Sequence, residues 1–122
     1  MTKKRRKELR SIEEFEKELR EEISVSVEFD LPLTIVLALN IKGGWKQGAL
    51  RRALDVLRVA DLATRPGPEE LLFALPNTTT ADARAVEERL REAVPEATSG
   101  VATYREGDSV DDLLERARSA AR

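Results

Sequence analysis

The run LTIVLALNI, Leu33 to Ile41, directly follows Pro32 and is apolar everywhere except Thr34 and Asn40. A stretch that short, that apolar and that rich in β-branched residues is expected to be a strand buried on both faces. Such a strand cannot stand at a wet sheet edge, so the chain has to supply layers that cover it. This requirement points to an α/β sandwich and organises the reading of everything else.

Leu9, Ile12, Phe15, Leu19 and Ile23 recur at helical spacing with charged residues between them, so the opening reads as an amphipathic helix. Its basic start, Lys3 to Lys7, is expected to be a solvated, frayed terminus. From Ile23 to Phe29 apolar residues alternate with Ser and Glu, a strand-like period that directly follows a helix; this segment is left unassigned. After the long strand, KGGWKQG is a glycine-bearing turn, and Leu50, Ala53, Leu54 and Leu57 mark a short second helix. Asp61 to Thr64, the turn RPGPE and the run ELLFALP make a β-hairpin. The NTTT tract supplies an N-cap for a third helix with Ala83, Val86, Leu90 and Val94 on one face. SGVATYR is a further strand, and Ser109 caps a last helix whose first turn carries Asp111 and Asp112. The order is helix, strand, helix, hairpin, helix, strand, helix. It predicts an α/β (α+β) fold with a mixed central sheet, helices on at least one face and an N-terminal amphipathic helix. Residues 1–30 would form the helix and connector, residues 31–122 the domain proper.

Composition excludes several functions. With no cysteine and no histidine there are no thiolate nucleophiles, disulfides, imidazole bases or common zinc ligands. A net charge of -2 offers no global field for a nucleic acid polymer. No apolar run reaches the length that spans a bilayer, which makes a cytoplasmic location the default.

RVADLATRPGPEELLFALPNTT resembles the diguanylate cyclase (GGDEF-domain) family of bacterial signalling proteins, in which R-x-x-D precedes G-G-[DE]-E-F and an apolar strand ending in Pro. GVATYREGDSVDDLLERARSA is similar to that family's G-[VI]-A-x-Y segment, acidic loop and following helix. SIEEFEKELREE and DLPLTIVLALNIKGGWK are similar to its N-R-x-x-F helix and to its P-L strand ending D-x-D-x-F-K. The resemblance runs in order along nearly the whole chain and implies a palm-like sandwich of the nucleotidyl cyclase type.

The departures from that pattern lie where the family holds GTP and Mg²⁺. Asn40 replaces the aspartate that ends the strand, and Lys42 replaces the second strand acid. A hard divalent ion needs anionic oxygen, so an amide beside an ammonium is a poor site. Gly67 keeps the first hairpin glycine but Pro68 replaces the second, which removes an N–H and puts a ring where a phosphate would approach. Glu69 and Glu70 keep the acidic pair, yet adjacent strand residues point to opposite faces. The guanine-reading stretch is compressed to Gln47, Gly48 and Ala49, and Trp45 is expected to replace a core Phe. An enzyme is therefore not expected, nor any cofactor or metal.

Arg58 and Asp61 form R-x-x-D at the offset of the family's inhibitory site, and Arg89 falls where relatives add a further arginine; the resemblance implies cyclic di-GMP as ligand. A guanidinium fork can bond guanine O6 and N7 together, about 1 to 3 kcal/mol of discrimination, and Asp61 can accept from guanine's donor edge. The expectation is an inactive receptor that signals to a protein partner. The alternative is an interaction module of the same fold that binds no nucleotide and works through Leu9, Ile12 and Phe15 or a sheet edge, a homodimer among its arrangements. The bland reading of Arg58, Asp61 and Arg89 is surface ion pairing.

Overall fold

A computed structural model describes residues 7–121 of the chain. Four helices and four strands follow in the order α1 (Ile12–Phe29), β1 (Leu33–Leu39), α2 (Gln47–Leu54), β2 (Leu62–Gly67), β3 (Glu70–Pro76), α3 (Thr80–Ala93), β4 (Thr98–Thr103) and α4 (Val110–Ala121). The sheet order is β2-β3-β1-β4. Thus β3 lies between β1 and β2, and β1 lies between β3 and β4, the arrangement of a split β-α-β motif used twice.

Strand β1 is central, and six of its seven residues are buried. Alternation splits its side chains between two cores. Leu33, Ile35 and Leu37 pack with Phe15 and Leu19 of α1 and Leu113 and Ala117 of α4. Val36 and Ala38 pack on the other face with Ala53 and Leu54 of α2 and Ala83, Val86 and Leu90 of α3. Helices therefore cover both faces.

Every neighbouring pair of named strands is antiparallel. A mixed sheet was the sequence expectation; its only parallel feature among the described residues is the bridge between Arg10 and Thr64. The reason is the hairpin, which folds β3 back between the two strands that the α2 crossover joins.

The alternating Ile23–Phe29 segment is helical and completes α1. Its serines turn their hydroxyls onto carbonyls, Ser24 to Arg20 and Ser26 to Leu31. The helix stops only at Asp30, which adopts φ 53° and returns its N–H to the Ser26 carbonyl. Ser11 opens it by accepting from Glu14 N at 3.1 Å. Thr79 caps α3 in the same way, and Ser109 and Asp112 cap α4 reciprocally, at 3.1 and 2.9 Å.

Helix α1 docks on the sheet rather than projecting from it. Phe15, expected at a partner interface, is 1% exposed, so an aromatic ring needed to cover β1 is not free for a partner. Leu9 is half-buried against the α2/α3 core, which leaves Ile12 as the exposed member of that trio. Residues 3–6 of the basic run lie outside the described residues. Lys7 donates to the carbonyls of Val59 and Asp61 at 2.8 and 2.6 Å, and burial pushes its ammonium below the ordinary value of 10.5. Arg10 N bonds Ala63 O at 2.7 Å, so residues 7–10 run along the β2 edge.

Candidate functional site

Two corners of the sandwich carry the residues singled out by sequence. The first lies where β1 ends against the β2–β3 turn. Asn40 is 1% exposed; its N–H donates to Glu69 O at 2.9 Å, and its side-chain oxygen accepts from Gly43 N at 3.4 Å. Trp45 is fully buried in the α2/α3 core, as expected of a residue replacing a core Phe. Its backbone N–H bonds Pro68 O and its indole N–H bonds Glu69 O, both at 3.0 Å. Gly44 adopts φ +64°, and a Cβ there would meet Pro68 O at 3.0 Å. The loop after β1 is thus closed onto the hairpin turn by three hydrogen bonds, all to turn carbonyls.

The charged groups of this corner do not converge. Lys42, Pro68 and Glu69 are exposed. Glu70 leans the other way and pairs with Arg118 of α4 at 3.4 Å. Gly67 pairs with Glu70 in the ladder, so the turn proper is Pro68-Glu69, tighter than the five-residue turn read from sequence. Among the described residues no group of three or more acidic side chains gathers to hold a metal ion.

The second corner is the loop between α2 and β2. Asp61 is 2% exposed, and its carboxylate accepts from the backbone N–H of Arg58 at 2.7 Å. The Arg58 guanidinium adds Nε to Oδ2 at 3.4 Å and Nη2 to Oδ1 at 3.2 Å. The same Nη2 reaches Pro76 O at 3.2 Å and the hydroxyl of Thr78. Arg58 still keeps its side chain 55% exposed. The sequence did not show that Asp61 is sunk in the loop with its carboxylate bonded to Arg58. Thr78, which sequence reasoning passed over, anchors the far end of this network and also accepts, through its carbonyl, from Thr34 Oγ1 at 2.7 Å. Nothing in the NTTT tract distinguishes it from the neighbouring cap threonine.

Arg89 is exposed on α3. Glu87 marks the β4-facing side of that helix, because its carboxylate accepts from Ser99 at 2.6 Å. Two residues on, about 200° around at 3.6 residues per turn, Arg89 lies on the opposite flank. At the C-terminal end of the helix, Arg52 of α2 donates to Ala93 O at 2.9 Å. The α2–β2 loop is tied through Arg58 to Thr78, just before α3, whereas Arg89 lies toward the other end of that helix. Along the axis it sits about 14 Å beyond Thr80, at 1.5 Å per residue.

No family model and no curated protein matches the chain. Solved structures do. It is similar to the diguanylate cyclase SiaD of Pseudomonas aeruginosa, solved with its activator SiaC, at TM-score 0.79 and 26% identity over 93% of this chain and 54% of that one. It is similar to the active GGEEF domain of a diguanylate cyclase from Vibrio cholerae at TM-score 0.82 and 16% identity, covering 93% and 89% of the two chains. It is also similar to the GGDEF domain of DgcB from Caulobacter crescentus, solved in complex with cyclic di-GMP, at TM-score 0.80 and 17% identity, covering 99% and 88%. No helix among the described residues is long and apolar enough to cross a membrane. Two split β-α-β units, a central buried β1 and the β2–β3 hairpin at its end give this chain the GGDEF-like fold of diguanylate cyclase domains.

Proposed function

We propose that the chain is a catalytically inactive GGDEF-like module that binds cyclic di-GMP through Arg58 and Arg89 and passes that state to a protein partner. The single observation that carries the ligand assignment is the preorganised, half-exposed guanidinium of Arg58, locked by a buried carboxylate. A fixed planar fork loses less freedom on binding than a free side chain, and Arg89, about 14 Å beyond Thr80 along α3, is the second cation, for the far end of the ligand. Asp61 acts here as a positioning residue.

Inactivity rests on the other corner. A GTP–Mg²⁺ pair does not fit it: the amide of Asn40 is buried and engaged by Gly43, Lys42 brings a positive charge, and Pro68 offers no N–H. Gly44 also lies so close to the turn that a Cβ there would meet the Pro68 carbonyl at 3.0 Å.

Calorimetric titration with cyclic di-GMP tests the proposal. Wild type should bind in the micromolar range or tighter, and Arg89→Ala, an exposed change, should lose at least tenfold. Arg58→Lys keeps the charge but not the fork and should lose a similar factor. Wild type that does not bind, or binds no better than an Arg58→Lys, Arg89→Ala double variant, would refute it. That result would favour the nucleotide-independent interaction module, for which the exposed Val27 and Phe29 at the end of α1 are the motivating observation.

A further inference from the structure

The α2–β2 loop is held by its own residues and also by a segment far away in sequence. Within the loop, Asp61 N donates to Arg58 O at 3.1 Å and the Asp61 carboxylate accepts from Arg58 N at 2.7 Å, so the four residues close on themselves. Val59, at the tip, is 99% exposed, so packing contributes little there and hydrogen bonds must fix the shape. The remote support is Lys7, whose ammonium donates to Val59 O at 2.8 Å and to Asp61 O at 2.6 Å. Two carbonyls converging on one cation fix the peptide planes before Ala60 and after Asp61, by bonds stronger than neutral ones. The second of them holds the backbone of the residue whose carboxylate sets the Arg58 fork. Among the described residues no other side chain bonds either carbonyl.

Lys7 is itself anchored. Arg51 Nη1 donates to Lys7 O at 3.1 Å, and Leu9 packs on the α2/α3 core. Arg10 N donates to Ala63 O at 2.7 Å, and Arg10 O accepts from Thr64 Oγ1 at 2.9 Å. Residues 7–10 thus lie as a strap over the loop and the start of β2. The strap is lightly held: Lys7, Leu9 and Arg10 are half-buried, Glu8 is exposed, and one bridge joins it to β2. Segments with so little burial open far more readily than a core strand.

We propose that Lys7 is a positioning residue of the ligand loop, and that residues 7–10 are the element whose docking responds to ligand occupancy. This inference rests on the cyclic di-GMP reading and supplies its output. A docked strap holds the loop in the arrangement that presents Arg58, so the docked state binds ligand better than the released one. By linkage the ligand tightens the strap by the same factor. The change of state then appears just ahead of α1, on a different element from the bound nucleotide.

Lys7→Met keeps the apolar stem and removes the donors at a half-exposed position. In the ligand-free chain, backbone order parameters of residues 58–61 should fall in this variant while those of β1 keep their wild-type values. Calorimetric titration of the variant should show cyclic di-GMP binding weakened by about fivefold or more, and saturating ligand should slow hydrogen exchange at the wild-type Arg10 amide by about fivefold or more. Wild-type affinity in Lys7→Met, or an Arg10 amide indifferent to bound ligand, overturns the strap and leaves the cyclic di-GMP reading standing. Weakened binding with an unchanged ligand-free loop means that Lys7 touches the ligand itself, and overturns the positioning role. A wild type that does not bind overturns the strap's role and the reading together, and titration of wild type alone tells that case from the others.

Discussion

Gly100→Ala is the substitution whose consequence the geometry states most sharply. A Cβ at that position would lie 2.3 Å from Ala121 N, 2.4 Å from Ala117 O and 2.6 Å from Ala120 C, all backbone of α4. No rotamer change relieves contacts with backbone, so α4 must recede by about 1 Å to reach ordinary van der Waals distance. That movement loosens Leu113 and Ala117 from the α1/α4 core as well. Overpacking of this kind costs typically 1 to 3 kcal/mol, and a purely backbone clash belongs at the upper end, about 3 kcal/mol. With 122 residues and about 2.1 cal/mol/K of unfolding entropy per residue, each kcal/mol moves Tm by about 4 °C, so Tm should fall by about 12 °C. Urea titration followed by circular dichroism gives the free energy, and an unchanged slope shows that only stability has moved. A variant within about 0.5 kcal/mol of wild type would mean that α4 does not lie on β4 as described.

Three further outcomes follow from named contacts. Arg58→Ala leaves the buried Asp61 carboxylate with little but a backbone N–H, whereas Asp61→Asn leaves a half-exposed arginine that water can solvate; denaturant titration should find Arg58→Ala the costlier, by about 1 to 2 kcal/mol. The bidentate hydrogen bonds from Arg116, both 2.8 Å, hold the Asp108 carboxyl below its ordinary value of 3.8. Its contribution is therefore fully present above about pH 4 and is lost as pH falls through the lower folded value. Asp108→Asn should cost about 1.5 to 3 kcal/mol at neutral pH, and its stability should fall less steeply than wild type's on acidification. Trp45 is the chain's one tryptophan and is fully buried, so native emission should be blue-shifted, and Trp45→Ala should cost about 3 to 5 kcal/mol by urea titration.

What could be read from sequence was what repeats along the chain. The apolar run of β1 announced a doubly covered strand, and the threonine and serine before α3 and α4 announced their caps. The Ile23–Phe29 stretch could not be assigned because Val25, Val27 and Phe29 alternate while staying substantially exposed, a pattern set by solvent rather than by a sheet. Only the αL turn at Asp30 tells where that helix ends. The antiparallel sheet was hidden because strand order depends on where a hairpin folds back, which no local pattern encodes. At the site, the residue types Arg58, Asp61 and Arg89 were visible, but the burial of Asp61 was not. A carboxylate that caps its own loop leaves no periodic trace, and the contribution of Thr78 comes from a segment seventeen residues beyond Asp61 along the chain.

The most direct measurement is residue by residue: amide chemical shifts of the labelled chain during titration with cyclic di-GMP, then separately with GTP and Mg²⁺. Cyclic di-GMP should move the signals of residues 58–61 and of α3 around Arg89 saturably, and GTP with Mg²⁺ should leave residues 40–46 and 67–70 in place. Shifts that appear instead at the loop after β1 and the hairpin turn, or no shifts near Arg58 and Arg89 at saturating cyclic di-GMP, would contradict the account.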